Sequence, residues 1–299
     1  MKKILVVGSS NTDMVVKSTN LPKPGETVLG GDFFSFAGGK GANQAVAAAK
    51  LDGDVIFMAK VGDDLYAEVA IEGFKKVGID TSKILKDPST HSGVALIMVD
   101  AKAENCISVA SGANNSFTQA DIDSLDGCLA EVGYVLVQLE IPMEIVEYLV
   151  QKCHAQGKKV VLNPAPAAKL SSECLSCLDI ITPNETETEI LTGIQVTDES
   201  SAKVAAEKLM ESGVSTVIIT MGSKGAFFST ESESGLIPSF PVNAVDTTAA
   251  GDTFNGALVV ALNEGKELKE AISFASKAAS ISVTRMGAQD SQPFRNEIT

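Results

Sequence analysis

Val242-Asn243-Ala244-Val245-Asp246-Thr247-Thr248-Ala249-Ala250-Gly251-Asp252-Thr253-Phe254-Asn255-Gly256-Ala257 joins a run of small residues to the start of a long helical pattern. Small residues let the backbone turn sharply, and the acid Asp252 sits on the turn. Unpaired N–H groups at a helix start form an anion site. An Asp beside such a site can take a proton from an attacking hydroxyl. Together they point to phosphoryl transfer onto an alcohol. The same residues also fit a plainer description, an N-cap acid after a loop, so the stretch has to be weighed with its surroundings.

Working outward, β-branched runs alternate with helical patterns over most of the 299 residues. Strands are expected at Lys3–Gly8, Val55–Val61, Tyr134–Leu139, Lys159–Leu162, Ile180–Thr182, Thr216–Thr220 and Gly225–Ser229. Helices are expected at Gly41–Leu51, Leu65–Val77, Met143–Ala155, Asn184–Thr192, Ser201–Ser212, Gly251–Asn263 and Leu268–Thr284. This alternation indicates an α/β fold with a mostly parallel central sheet covered on both faces. Met14–Val16 with Glu26–Phe36, and Ser92–Asp100 with Asn105–Ala110, break the rhythm. They predict antiparallel pairs forming a small sheet apart from the main one. No linker, repeat or low-complexity run divides the chain, so residues 1–299 are read as one domain with a β appendage.

The net charge of −14 excludes a nucleic-acid or anionic-membrane partner, since both need a basic face. An acidic protein that handles a nucleotide must supply positive potential locally, from helix N-termini, a few Lys and a metal. The apolar run after Met1-Lys2-Lys3 is too short for a signal peptide, and no stretch approaches a membrane span. Five Cys, an odd number, fit a reducing compartment, and the expected location is cytoplasmic. Cys174 and Cys177 form one CxxC without a second pair, and both are expected to be packing residues. His91 and His154, the two histidines present, are expected on the surface.

Several motifs are excluded. Gly8-Ser9-Ser10-Asn11-Thr12-Asp13 follows the first strand without G-x-G-x-x-G, which disfavours dinucleotide binding. Gly39-Lys40 is followed by Gly41 and not by Ser or Thr, so no P-loop is present. Neither His has a G-x-S-x-G partner for hydrolysis.

Other segments survive. Asn11 and Asp13 lie at the carboxyl end of the first strand, where open parallel sheets bind ligands; they suit sugar hydroxyls, and equally a turn. Phe36-Ala37-Gly38-Gly39-Lys40-Gly41-Ala42-Asn43-Gln44-Ala45 is a Gly-rich helix entry with Lys40 and Asn43 one turn apart. Glu140, in Val137-Gln138-Leu139-Glu140-Ile141-Pro142, either points into the crevice or is an acid at a helix start. Asn184 and Glu187, in Thr182-Pro183-Asn184-Glu185-Thr186-Glu187, match a capping box; their spacing also suits a metal–water–phosphate cluster. Thr220-Met221-Gly222-Ser223-Lys224-Gly225 is a tight turn between strands, either a plain hairpin or a turn over a nucleotide.

In this order the segments resemble the ribokinase group of the PfkB carbohydrate-kinase family, from Lys3 to about Pro293. Most of the specificity lies in Gly38–Ala45 and Asp246–Phe254. The resemblance implies a three-layer α/β/α sandwich with a small protruding β-sheet lid, formed by about 12–40 and 91–112, that clasps a sugar and pairs in a homodimer. It implies ATP-dependent phosphorylation of D-ribose at O5, with Asp252 as general base and the N–H groups of Ala249 to Asp252 as the anion hole. Asn11, Thr12, Asp13, Gly39, Lys40, Gly41, Ala42, Asn43, Glu140 and Asp252 then bind the sugar. Asn184, Thr220, Met221, Gly222, Ser223, Lys224, Gly225, Gly251, Asp252 and Ser276 bind ATP. Glu187 holds Mg2+ through water. Asp246, Thr248, Ser282, Arg285, Gly287 and Ser291 hold a monovalent cation, usually K+, largely through backbone carbonyls. Ala249 departs from the glycine common in the family. Competing acceptors are 2-deoxyribose, fructose and nucleosides such as adenosine, and a non-catalytic sugar-binding sensor is the rival of a different class.

Overall fold

The computed structural model describes residues 2–102 and 104–298. Residues 1, 103 and 299 of the expected domain, the second within the expected lid, lie outside the described residues. In chain order, β1 (Lys3–Val7), β2 (Asn11–Lys17), β3 (Asp32–Gly38), α1 (Lys40–Lys50), β4 (Val55–Gly62) and α2 (Leu65–Lys76) open the fold. Then come β5 (Ile84–Asp87), β6 (Gly93–Val99), β7 (Asn105–Ala110), α3 (Gln119–Asp123), α4 (Asp126–Leu129), β8 (Val132–Val137), α5 (Met143–Ala155) and β9 (Lys159–Leu162). The chain continues through α6 (Ser172–Ser176), β10 (Ile180–Ile181), α7 (Glu185–Thr192), α8 (Glu199–Glu211) and β11 (Thr216–Thr220). It closes with β12 (Ala226–Ser229), β13 (Ser234–Ile237), α9 (Ala250–Asn263) and α10 (Leu268–Ser282).

The main sheet has the order β13-β12-β11-β10-β9-β8-β1-β4-β5. Pairings from β11 to β5 are parallel, and the β11–β12 and β12–β13 pairings are antiparallel. Alternation of side chains along each strand sorts the core into two layers. Leu5, Val7, Val135 and Val137 join the apolar faces of α5 and α8. Ile4, Val6 and Leu136 join those of α1, α9 and α10. The result is the expected three-layer sandwich. Cys174 is buried and Cys177 partly buried in the first layer, where burial raises the Cys174 thiol to about 12. All five cysteines are free, and the two histidines lie on the surface.

The appendage is a second sheet, β3-β2-β6-β7. Its β2–β3 and β6–β7 pairs are antiparallel, as expected, and β2–β6 is parallel. The strand expected over Glu26–Phe36 begins only at Asp32, because the preceding segment holds Pro22, Pro24, Gly25, Gly30 and Gly31, poor material for a ladder. β5 and β13, each four residues long, are edge strands too short to show a clear period. No helix among the described residues is long and apolar enough to cross a membrane.

The Ala-rich pattern of α1 has a packing cause. Gly256 of α9 lies so close to α1 that a Cβ there would stand 2.6 Å from the Cβ of Ala47. Ala42, Ala45, Ala47 and Ala48 are buried at this seam. Small residues let the two helix axes approach, and that approach brings their N-terminal turns together above the carboxyl ends of β1 and β8.

Candidate active site

Asp252 stands at the first turn of α9 and is 6% exposed. Asn43 Nδ2 donates to its Oδ2 at 3.0 Å and Gln44 Nε2 to its Oδ1 at 2.9 Å. Gln44 is fixed in turn. It also donates to Asn163 Oδ1 at 2.9 Å and accepts from Gln138 Nε2 at 2.6 Å. Burial raises the Asp252 pKa, against the opposing pull of Lys40 and the two amide donors. A carboxylate so placed is oriented, short of water, and a better proton acceptor than an exposed one.

The N–H groups next to it are available. Ala250 donates to Thr247 O and Thr253 to Ala249 O; those of Gly251 and Asp252 have no acceptor among the described residues. They open on a cavity of about 220 Å³ lined in part by Lys40, Asn163, Thr182, Asn184, Glu187 and Asp252. No ion pair holds the Lys40 ammonium among the described residues. It is the one Lys or Arg lining that cavity.

The start of α1, expected to close over the sugar through Gly39 to Asn43, is different. Lys40 N donates to Glu140 Oε2 at 2.9 Å, Gly41 N to Ser9 Oγ at 3.3 Å, and Ala42 N to Ser9 O at 2.8 Å. These donors are spent on the protein itself. A Cβ on Gly41 would lie 2.5 Å from the Gly8 carbonyl carbon and the Ser9 nitrogen, so glycine serves the approach of two backbones. Ala42 is wholly buried in the core, and its assignment to the sugar is withdrawn. Lys40 lines the smaller cavity together with Glu187 and Asp252. Glu140 is no cap for α5: it accepts from Ser9 Oγ at 2.5 Å and from the α1 start.

Asn11 and Asp13 share one face of β2. Thr12, between them, faces the opposite side by strand alternation, so its side chain is not part of this group. Burial, then the charges of Glu140 and Asp252, raise Asp13 to about 6, opposed by Lys40. Asp13 therefore feels the charges of both Glu140 and Asp252.

A second cavity, of about 770 Å³, adjoins the first. Asn184, Thr220, Gly222, Ser223, Gly225, Gly251 and Ser276, all among the residues assigned to ATP by resemblance, line it. Met221 does not; it is buried in the core. Lys224 turns outward to Glu185 and Thr197 O. Sequence reasoning missed the apolar walls, among them Phe240, Pro241, Val242, Phe254, Ala279 and Val283. It also missed Asn163, Thr182 and Asn255 in the smaller cavity.

Asn184 and Glu187 do form a capping box, and both line the smaller cavity as well. Burial raises the Glu187 pKa. At the other end of the site, Asp246 accepts from Thr248 N and Gly287 N, each at 2.9 Å. Although burial pushes its pKa up, these hydrogen bonds hold it below the usual range. The Arg285 guanidinium pairs with Glu297, Ser282 O accepts from Arg285 N, and the Ser291 hydroxyl donates to Ala288 O.

Ala249 has φ 58° and ψ 17°, the left-handed region, where a Cβ costs roughly 1–2 kcal/mol. Ala249→Gly is expected to stabilise the fold by about 1 kcal/mol with turnover retained. Urea unfolding checks it, and an unchanged midpoint would remove the strain.

A buried carboxylate beside free helix N–H groups, with an apolar nucleotide-sized cavity adjoining a polar hollow, is the constellation of a phosphotransferase acting on hydroxyl groups. The chain belongs to the pfkB family of carbohydrate kinases, whose pattern matches residues 1–295. A ribokinase of Haemophilus influenzae is 48% identical over 296 residues, 99% of this chain and 97% of that protein. A deoxyribokinase of Salmonella typhi is 40% identical, covering 97% of this chain and 95% of that protein. The structure of an Arabidopsis thaliana ribokinase complexed with ribose and ATP superimposes with a TM-score of 0.92 at 33% identity, covering 99% and 97% of the two chains.

Proposed function

We propose that this chain transfers the γ-phosphoryl group of ATP to O5 of D-ribose, giving D-ribose 5-phosphate and ADP. The observation that carries it is Asp252, buried and doubly held, beside the unused N–H groups of Gly251 and of its own backbone. In this reading the sugar occupies the hollow bounded by Asn11, Asp13 and Glu140. The nucleotide lies in the larger cavity and its terminal phosphate reaches the smaller one. Asp252 takes the O5 proton as that oxygen forms its bond to phosphorus and the bond to ADP breaks. Lys40 and the two N–H groups meet the negative charge on the transferring group. The resemblance to ribokinases carries the choice of ribose, and the relative named for deoxyribose keeps 2-deoxyribose in the test.

Asn184 and Glu187 fit magnesium held through water, since both line the phosphate cavity; the metal supplies charge neutralisation at the phosphates when bound. Asp246, whose segment is hydrogen-bonded to Val283 and Gly287, fits the expected monovalent-cation loop with Thr248, Ser282, Arg285, Gly287 and Ser291. ADP release with ATP, magnesium and a panel of sugars, with potassium or tetramethylammonium, tests the reading. Potassium-dependent turnover of ribose is expected. Turnover of another sugar moves the specificity, and binding without turnover on any acceptor sinks the kinase reading in favour of a sensor.

The lid supports a homodimer. Val16, Phe33, Leu96 and Met98 are 36–63% exposed and share one face through the pairings Val16–Phe33, Val16–Met98 and Met14–Leu96. This face lies opposite the one that carries Asn11 and Asp13, so a second lid can cover it without blocking the sugar. Leu96→Glu is expected to convert the dimer to monomer in sedimentation; a native chain that sediments as a monomer removes the proposal.

A further inference from the structure

Asn114 lies in the 3-10 turn Gly112–Ser116, immediately after the last lid strand, and is 1% exposed. It touches no cavity described above. Its Oδ1 accepts from Ser10 N at 2.9 Å, and its Nδ2 donates to Ser10 O at 3.2 Å and to Asn11 Oδ1 at 2.7 Å. Gly93, at the start of β6, makes the room, since a Cβ there would overlap both amide groups.

These bonds settle the orientation of two amides in sequence. A backbone N–H can only donate and a backbone C=O can only accept. Ser10 therefore fixes which end of Asn114 is oxygen and which is nitrogen. The nitrogen end also faces Asn11, so the Asn11 atom that meets it must be its oxygen. Asn11 is left with its NH2 group pointing away from Asn114, and that group has no protein acceptor among the described residues.

We propose that Asn114 is a positioning residue that holds Asn11 as a hydrogen-bond donor to the sugar. The inference rests on the assignment of Asn11 and Asp13 to the sugar hollow. It adds a polarity to that hollow. Asn11 supplies a donor and the Asp13 carboxylate an acceptor from the same strand face. A sugar hydroxyl, both donor and acceptor, satisfies the pair; a hydrogen or a methyl group leaves both unpaired, the arrangement that gives strong discrimination. Because Asn114 follows β7, the same contacts tie the lid's return strand to the end of β1.

Asn114→Asp reverses the polarity with almost no change in shape. The carboxylate still accepts from Ser10 N, but it cannot donate to Ser10 O or Asn11. Asn11 then turns its NH2 toward residue 114 and presents oxygen to the sugar, beside the oxygens of Asp13. The expected result is a ribose KM raised roughly 10–100-fold, with kcat and the KM for ATP nearly unchanged. Asn11→Asp gives the same split directly, because it accepts from Asn114 and offers the sugar no N–H. It carries the test if the first variant does not fold. An unchanged ribose KM in a folded variant, or a fall in kcat and ATP affinity equal to the loss for ribose, overturns the positioning role. An unsubstituted chain inactive on every sugar overturns the functional reading along with it.

Discussion

Asp252→Asn is expected to lower kcat by a factor of roughly 10²–10⁴, the usual contribution of a general base, while the protein folds and binds both substrates. The amide keeps the size of the carboxylate but cannot take the O5 proton. It also meets a site built for two accepting oxygens. Gln44 cannot turn to receive an N–H, because Asn163 and Gln138 fix both ends of its amide. Asn43 is freer: its Oδ1 accepts from Gln289 Nε2 at 3.2 Å, and no other bond among the described residues fixes the Gln289 amide, so the two amides can turn together. The variant amide therefore keeps its oxygen toward Gln44 and its NH2 toward a turned Asn43, at a cost below the about 1–3 kcal/mol of a buried unpaired group. Relief from burying a charge at this position offsets that cost, so the unfolding midpoint should shift little. Single-turnover measurement at saturating ATP and ribose checks the chemical step. Retention of a tenth or more of the native rate would remove Asp252 from its role. Since burial raises the Asp252 pKa, the acid limb of native kcat should lie above the usual carboxylate range.

The sandwich was legible because the alternation of buried strands and amphipathic helices carries its own period. Asp252, Gly251 and the α7 capping box were legible because each is a short-range motif at a helix start. Much of the rest depends on approach between distant segments. The glycines around Lys40 look like a ligand-binding loop, and only the closeness of Gly41 to Gly8 and Ser9 shows that this one is also required for packing. Gln44 looks like one more residue of an Ala-rich helix until α9 brings Asp252 against it. The rule that ligands bind beyond the carboxyl ends of parallel strands would have found Asn163 and Thr182, which directly follow β9 and β10. Met221 shows the opposite case: the turn motif reads as one unit, although burial divides its residues between core and cavity. Thr12 reads as one unit with its neighbours in the same way, yet the two-residue period of the strand turns it to the other face.

Asp13→Asn is expected to stabilise the fold and weaken the sugar site together, with a pH dependence that identifies the cause. The folded protein raises the Asp13 pKa from 3.8 to about 6, through burial and then the charges of Glu140 and Asp252. Between those two values the folded state holds a proton that the unfolded state has released. Stability from this group therefore falls as pH rises through the window. Above about pH 6 the full cost of the ionised carboxylate is present, up to about 3 kcal/mol; below 3.8 it is absent. Asparagine never ionises, so its advantage should be greatest near pH 8, shrink on acidification through pH 6, and vanish near pH 4. Urea unfolding at pH 8 and pH 4.5 measures the difference, and equal gains at both would show that charge is not its source. The same substitution removes the charged acceptor that shares a strand face with Asn11. A hydrogen bond to a charged group contributes about 1.5–3 kcal/mol, so the ribose KM should rise roughly 10–150-fold. In the ribokinase reading the sugar hydroxyls are the partners that make a destabilising carboxylate worth keeping, since a ligand rich in donors satisfies the acids whose charges raise one another. A variant that is more stable near pH 8 yet keeps native ribose affinity would separate the two effects and exclude Asp13 from the sugar site.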